Sequence, residues 1–250
     1  DPTLLDNPPS LAAGTPWSLG LNSAGVVRAV FERDAGLLIA TWGTMSTAVN
    51  TTWRPVRLPA DTISSLALSD DATWVAWDGD YNDGGGSTES TGAVEQLEGA
   101  TVVPRESVSY KYLVTTSGRV QGFDTYSSYF NFPPFPVIDE SGLSYCPDVT
   151  QTTGTCVGLN VNGNHTLISG GRAARLGNEM VVGWIDNKQL WVGQALPTVG
   201  QIRQRKIDAA GTSVADLDLA GPVGANFMTL FYRTLSGSAT SVYGTLVCPP

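Results

Sequence analysis

The feature that most constrains the fold of this chain is a succession of short apolar segments separated by small groups of turn-forming residues. Short runs of β-branched and aromatic residues bounded by Gly, Asn, Asp and Ser predict strands joined as hairpins. The sequence predicts six such strand pairs: Val26–Asp34 with Leu37–Gly43, Ile63–Ser69 with Thr73–Asp78, Val108–Thr115 with Val120–Tyr126, Cys156–Val161 with Thr166–Ser169, Met180–Ile185 with Gln189–Gly193, and Phe227–Thr234 with Thr240–Val247.

The periodicity between these pairs also indicates strands rather than helices. Apolar and acidic residues alternate along Ser213–Ala220, which is the period of a half-buried strand, and no window keeps a helical apolar stripe over three turns. We therefore predict an all-β fold, an irregular antiparallel barrel or sandwich built from consecutive hairpins. A small β-propeller is the alternative, because aromatic residues end several strands, although at unequal spacings.

The length and the prolines predict the domain organisation. At 250 residues with 42% hydrophobic residues the chain is long enough for a large folded core. Four prolines fall within residues 1–20, which predicts an extended arm, followed by a single all-β domain over residues 21–250. The first residues lack the build of a signal peptide, so we expect a mature form, a processed product or an excised domain.

The charge balance and the lengths of the apolar runs exclude two classes of partner. The net charge is −9, lysine occurs three times, and the one basic cluster is at residues 203–206. Nucleic-acid binding requires a basic surface, so we predict none. No apolar run approaches the roughly 20 residues that cross a bilayer, so we predict no membrane insertion.

The cysteines and sequons bear on the compartment. Cys146 and Cys156 flank a turn-rich segment and are a possible disulfide, which would leave Cys248 unpaired; three unpaired thiols are the alternative. Asn50 and Asn164 begin Asn-x-Thr sequons, which matter only in a secreted protein.

Motifs for catalysis are sparse. The single histidine, His165, lies in a predicted turn, and Gly-x-Ser-x-Gly, phosphate-loop, dinucleotide and zinc patterns are missing from the sequence. A glycosidase needs two carboxylates, but with 23 acidic residues no pair stands out, and Asp70-Asp71 is ordinary turn chemistry. We therefore predict a chain that is not an enzyme, with no catalytic residues and no cofactor except a possible calcium ion.

The calcium candidate is the stretch DGDYNDGGGSTE at residues 78–89. Its oxygen-bearing residues resemble the spacing of a calcium loop, but the strand before it and the late glycine do not fit a helix–loop–helix site. A strand-flanked calcium loop would use Asp78, Asp80, Asn82, Asp83 and Glu89. The competing interpretation is a polar, exposed recognition loop.

Two predicted loops, 78–92 and 126–136, and Trp53 among the loop residues 51–55 supply the ligand candidates. Residues 126–136 hold five aromatic rings and three prolines, and proline is disfavoured inside a central strand. This predicts a rigid loop that either covers one end of the fold or contacts a ligand or subunit. The predicted ligand or receptor residues are Trp53, Tyr81, Asn82, Tyr126, Tyr129, Phe130, Phe132 and Phe135.

In general character this acidic, lysine-poor, β-rich chain with a proline-rich leading arm resembles the projecting, or spike, domains of small non-enveloped RNA-virus capsids, astrovirus-like ones among them. The resemblance covers the whole chain and rests on no diagnostic motif. It implies a homodimer on the virion surface whose loops contact a host-cell receptor or glycan and antibodies.

Two other hypotheses remain. A secreted, extracellular carbohydrate-binding lectin of the small β-propeller type is favoured by the sequons and the possible disulfide. A glycoside hydrolase with a carboxylate pair not yet located is the third.

Overall fold

The computed structural model describes residues 12–248 except 23, 44, 47, 106–109, 111, 117–118, 131–137, 152–156, 160–167, 178, 197–200, 208–212, 224–225 and 237–238. Within this part of the chain the regular structure is entirely β, which confirms the predicted fold class. The strands are β1 Trp17–Leu21, β2 Val26–Arg33, β3 Gly36–Gly43, β4 Asn50–Pro55, β5 Thr62–Leu68, β6 Trp74–Asn82, β7 Thr88–Gln96, β8 Val102–Pro104, β9 Tyr112–Thr116, β10 Arg119–Phe130, β11 Ile138–Cys146, β12 Val157–Leu159, β13 Ile168–Leu176, β14 Glu179–Asp186, β15 Gln189–Leu196, β16 Gln201–Ile207, β17 Val214–Val223, β18 Phe227–Ser236 and β19 Ala239–Val247.

These strands form antiparallel sheets of consecutive hairpins. The sheet orders are β1-β2-β3-β4, β5-β6-β7-β8, β12-β11-β10-β9, β13-β14-β15-β16 and β17-β18-β19. Each sheet is a meander of strands that follow one another along the chain. Four-stranded meanders of this kind are the repeating unit of β-propellers, which is the alternative that the sequence offered.

Five of the six predicted hairpins form. The turn between β2 and β3 uses Asp34 and Ala35, with φ of 53° and 54°, and the turn between β14 and β15 uses Asn187 and Lys188, with φ of 48° and 66°. Two consecutive residues in the left-handed region are typical of the type I′ turn, whose twist matches that of the strands.

The predicted Asn-Gly hairpin at residues 156–169 is wrong. β12 pairs with the preceding strand β11, and β13 pairs with the following strand β14, so its two flanks belong to different sheets. The longer ladder that β13 makes with β14 outweighed the local turn preference of the Asn-Gly segment.

The described parts of both predicted recognition loops are mostly strand, which corrects their assignment there. Asp78, Asp80 and Asn82 lie in β6, and residues 88–92 lie in β7, so the connection is only residues 83–87. Residues 126–130 lie in β10 and pair with β11, and residues 131–136 lie outside the described residues. The prolines come after Phe130 in the sequence, so they remove no donor from this ladder.

The chain divides into two compact units. Unit 1 is Asp1–Thr115 with Val149–Thr152, and its core joins the first two sheets through Val30, Leu37, Leu66, Val75 and Trp77.

Unit 2 is Thr116–Asp148 with Thr153–Pro250. Its core joins β14 and β15 to the last sheet through Val181, Ile185, Leu190, Met228 and Leu230. The predicted arm at residues 1–20 ends in β1, and the single domain over residues 21–250 stays a prediction.

Two of the three cysteines lie in the described residues, and the Cys146–Cys156 pairing stays a prediction. Cys146 is buried and disulfide-bonded, whereas Cys248 is exposed. The predicted partner Cys156, the sequon residue Asn164 and His165 lie outside the described residues. In the described part of the chain, no helix is long and apolar enough to span a membrane.

Candidate functional site

A pocket of about 240 Å³ opens in unit 1 beside the first sheet. We name it the Arg54 pocket, and its lining residues are Arg28, Ile39, Thr41, Thr52, Arg54, Leu97 and Glu98. It combines guanidinium donors, a carboxylate acceptor and two hydroxyl groups with a small aliphatic wall, so it can meet a ligand that is both polar and apolar.

Strand register explains why the sequence brings these residues together. Arg28 of β2 lies opposite Thr41 of β3, and Thr52 of β4 lies opposite Ile39 of β3. Residues two apart in a strand share a face, so Arg54 lies on the same side as Thr52. One face of β2, β3 and β4 therefore forms the first wall of the pocket.

The other wall of the pocket follows β7. Leu97 and Glu98 come directly after that strand, and Glu98 is hydrogen-bonded to Nη2 of Arg28. Nη1 of Arg28 donates to the carbonyl oxygen of Ala72 at 3.0 Å. Arg28 therefore holds the two walls together, while the Glu98 side chain stays 74% exposed.

A buried carboxylate lies behind the Arg54 pocket. Glu95 of β7 is fully buried, and Nη1 of Arg54 donates to its Oε2 at 2.8 Å. Its Oε1 accepts hydrogen bonds from Nε1 of Trp77 at 2.6 Å and from the backbone nitrogen of Arg57 at 3.0 Å. Nε of Arg57 is 3.7 Å from Oε2. A buried charge is tolerated where it is paired and hydrogen-bonded in this way.

Arg54 is only partly satisfied by this network. Its Nη1 also donates to the carbonyl oxygen of Pro55 at 3.1 Å, but Nε and Nη2 are buried and have no hydrogen-bond partner among the described residues. Buried N–H groups are paired in the great majority of cases, so two orphaned donors on one guanidinium beside a pocket call for an explanation.

Trp53, the predicted ligand residue of this region, faces away from the pocket. It lies between Thr52 and Arg54 in β4, so its side chain is on the opposite face of the sheet. It is half exposed, and its Nε1 donates to the carbonyl oxygen of Arg33 at 3.0 Å. A Cβ on Gly36 would lie 2.8 Å from the Trp53 ring, so this glycine lets the indole lie close over the strand.

The calcium candidate residues are not all brought together. Asp78, Asp80 and Asn82 share one face of β6, but Glu89 lies opposite Tyr81 and therefore on the other face. Burial, and then the neighbouring charge of Asp80, raise the pKa of Asp78. Asp83 accepts a hydrogen bond from the amide of Gly85 within the connection itself.

No group of three or more His, Cys, Asp or Glu residues suited to a metal ion occurs in the described part of the chain. Calcium binding by Asp78, Asp80, Asn82 and Asp83 stays a prediction.

The other predicted ligand residues are scattered. Tyr81 and Asn82 lie at the end of β6, and Asn82 uses its side-chain oxygen to accept from the amide of Gly84 at 2.9 Å. Tyr126, Tyr129 and Phe130 lie in β10, a strand of unit 2. Phe132 and Phe135 lie outside the described residues. None of the described candidates lines the Arg54 pocket.

Unit 2 has a shallower cleft of about 300 Å³ on the last sheet. Asp218 of β17 lies opposite Phe231 of β18, and Nε of Arg172 is 3.6 Å from Asp218. The Phe231 ring covers Gly244, where a Cβ would lie 3.1 Å from it. This cleft is more open, and the orphaned buried donors of Arg54 have no counterpart among its described lining residues.

Sequence reasoning missed the residues of the Arg54 pocket, although one signal was present. Glu95 is a fully buried acid in an apolar part of the sequence, next to the buried residues Ala93 and Val94 and two positions before buried Leu97. A carboxylate in such a position predicts a buried cationic partner. Arg54, in the last strand of the preceding sheet, and Arg57, just after that strand, were the available cations.

Comparison with known proteins gives distant structural similarities. No family model and no curated protein matches the chain. Similar solved structures include an acylaminoacyl peptidase in complex with Z-Gly-Gly-Phe-chloromethyl ketone (10% identity, TM-score 0.47), an oligogalacturonate lyase in complex with manganese (9%, 0.47) and an exo-β-1,3-galactanase from Phanerochaete chrysosporium (8%, 0.42). The similarity covers 92%, 86% and 97% of this chain but 38%, 61% and 62% of those chains. The chain thus spans less than two thirds of each of them.

The prediction that the chain is not an enzyme is contradicted by these neighbours, which are a peptidase, a lyase and a galactanase. Its basis was the lack of a concentrated catalytic motif in the sequence. That criterion is weak in a β fold, since groups from distant strands converge only in three dimensions. At such identities and TM-scores the similarity assigns none of these activities to this chain.

Proposed function

We propose that this chain binds carbohydrate and that the Arg54 pocket is its binding site. The observation that carries the proposal is the mixture of groups lining one small pocket. Arg28 and Arg54 are donors, Glu98 is an exposed acceptor, and Thr41 and Thr52 bring hydroxyl groups that do both.

A sugar ring matches this mixture better than other ligand classes. Its hydroxyl groups need donors and acceptors side by side, and its C–H faces need a limited apolar surface, which Ile39 and Leu97 provide. A lipid chain would bring no partner for Nε and Nη2 of Arg54 and would remove the Arg28–Glu98 pair from water, which costs binding free energy. At about 240 Å³ the pocket has room for one ring rather than a dinucleotide.

This proposal takes up the lectin-like alternative of the sequence analysis. The resemblance to capsid projecting domains, with its homodimer, its host-cell receptor and its virion surface, stays a prediction, and so does secretion. The glycoside hydrolase with a carboxylate pair stays a hypothesis too, because Glu95 is occupied by its buried partners and only Glu98 is exposed in the pocket.

Alternate residues of β4 provide a test with an internal control. Thr52→Phe fills the Arg54 pocket from an exposed strand position that tolerates an aromatic residue. Trp53→Ala removes a large ring from the opposite face. Binding is measured on a glycan array and then by calorimetry with the best ligand.

We expect Thr52→Phe to weaken glycan binding at least about tenfold and Trp53→Ala to leave it unchanged. Circular dichroism and the melting temperature establish that both variants are folded. The opposite pattern would move the site to the Trp53 face, in agreement with the sequence prediction for Trp53, and would refute the pocket. Absence of binding to every glycan on the array would refute the proposed function.

A further inference from the structure

The unpaired edge of the Arg54 guanidinium indicates what kind of sugar the pocket takes. Nη1 is used by Glu95 and Pro55, while Nε and Nη2, which form the opposite edge, have no partner among the described residues. That edge carries two parallel N–H groups, which is the arrangement that binds the two oxygens of one carboxylate.

The charged side chains around the pocket have an excess of one positive charge, which favours an anionic ligand. Arg28 is paired with Glu98, and both Arg54 and Arg57 are paired with Glu95. Three guanidiniums thus face two carboxylates, so the cluster keeps one positive charge in a chain whose net charge is −9. A site of this local charge favours a ligand with a single negative charge.

We propose that the Arg54 pocket binds a sugar that carries one carboxylate, of the uronic acid type, with the carboxylate on Nε and Nη2 of Arg54. This inference rests on the proposed function and names its ligand class. The hydroxyl groups of Thr41 and Thr52 and the Glu98 carboxylate then face the ring hydroxyls, and Ile39 and Leu97 face its C–H groups.

The guanidinium reaches the carboxylate through a small movement. Nε and Nη2 are covered by neighbouring atoms in the unliganded chain, while the Arg54 side chain as a whole is 22% exposed. In this proposal, rotation about the Arg54 side-chain bonds turns this edge toward the pocket, while Trp77 and Arg57 keep the Glu95 carboxylate paired. Two donors that lack partners before binding then gain them, so binding removes an existing penalty.

The test compares two ligands that differ only at the carboxylate. Methyl glucuronide and methyl glucoside share the ring and its hydroxyls, and propionate supplies a carboxylate without a sugar. Calorimetry or ligand-observed NMR measures all three on the wild-type chain and on Arg54→Lys. Lysine keeps the charge that pairs with Glu95 but has no bidentate edge. Arg33→Lys is the control, since Arg33 is an exposed residue of β2 that does not line the pocket.

We expect the glucuronide to bind at least about tenfold more tightly than the glucoside, and Arg54→Lys to remove about that preference while Arg33→Lys keeps it. If Arg54→Lys is unfolded by circular dichroism, Thr52→Phe takes its place and is expected to lose the glucuronide. Equal binding of glucuronide and glucoside would overturn this inference and leave the carbohydrate function standing. Propionate binding as tightly as the glucuronide would overturn the carbohydrate function, and no binding of any of the three would overturn this inference.

Discussion

Asp71 shows how single side chains close the turns of this fold. Its Oδ1 accepts hydrogen bonds from the hydroxyl of Ser69 at 2.6 Å, the hydroxyl of Thr73 at 2.7 Å and the amide of Thr73 at 3.2 Å. The neighbouring Asp70 accepts from the amide of Thr115 at 2.7 Å. The two adjacent acids are therefore turn residues, as their position in the sequence indicated, and the carboxylate cluster needs no catalytic explanation.

These hydrogen bonds make the turn sensitive to pH. Burial alone would raise the pKa of Asp71, but the hydrogen bonds from Ser69 and Thr73 outweigh it and hold the pKa below its ordinary value of 3.8. Because the folded chain prefers the charged form, Asp71 stabilises the fold fully above pH 3.8 and loses that effect as the pH falls through the lowered pKa.

We expect Asp71→Asn to lower the free energy of unfolding by about 1 kcal/mol at neutral pH, since the amide keeps one acceptor but not the charge. The deficit should shrink in acid, where Asp71 itself becomes protonated. Urea unfolding of both proteins from about pH 3 to pH 7 measures it. Asp34→Asn, at an exposed turn position, is the control. A deficit that does not change with pH would mean that shape rather than charge is responsible.

At the scale of elements, the turn between β14 and β15 is sterically imperfect. Lys188 has a φ of 66°, and its side chain is exposed. The left-handed conformation costs an L-residue roughly 1–2 kcal/mol, and Asn-Gly is the preferred pair in such a turn.

We therefore expect Lys188→Gly to raise the free energy of unfolding by about 0.5 kcal/mol, because relief of strain exceeds the added entropy of the unfolded chain. Lys206→Gly is the matched comparison, since it removes the same side chain from the interior of β16 and should destabilise by about 0.5–1 kcal/mol. Chemical unfolding of the wild-type chain and of both variants measures the two changes in the free energy of unfolding. A loss of stability in both variants would show that the Lys188 side chain contributes more than its backbone costs.

Hairpins of this chain were predictable because their information is local. The turn at residues 34–36 depends only on the backbone conformation of its own residues. The alternation of apolar and acidic residues along Ser213–Ala220 indicates a half-buried strand, and β17 covers most of this segment. The Asn-Gly segment failed because pairing with strands on either side decided the ladder there. The loop prediction was wrong at residues 126–130 because the prolines begin only at residue 133 and do not exclude a strand before them.

The Arg54 pocket, in contrast, is a non-local product. Arg28, Thr52 and Glu98 come from β2, from β4 and from the residue pair that follows β7, and only sheet register and packing bring them together. Trp53 was the more conspicuous residue in the sequence, and it lies one position away on the other face. A one-residue difference in a strand reverses the face, so the composition of β4 alone did not reveal the site.

At the scale of the whole molecule, each compact unit has a core of its own. The core of unit 1 includes the network of Glu95, which links β7 to Arg54 of β4 and to Trp77 of β6. The core of unit 2 contains β14, where Met180 is fully buried. Separate cores predict that damage to one unit is felt mainly there, since proteins open locally in cooperative units.

Two variants, one in each unit, test this separation. Glu95→Gln removes the charge that Arg54 and Arg57 share and should destabilise unit 1 by about 3 kcal/mol. Met180→Ala leaves a cavity and should destabilise unit 2 by a similar amount, about 2–5 kcal/mol. Native-state hydrogen exchange measures, for each variant, how fast the amides of each strand exchange. We expect faster exchange in β3, β6 and β7 for Glu95→Gln, with β14 and β15 unchanged, and the reverse for Met180→Ala. If either variant accelerates exchange in all these strands to the same extent, the chain opens as one cooperative domain, as the sequence predicted for residues 21–250, and the two cores are a division of contacts without a division of stability.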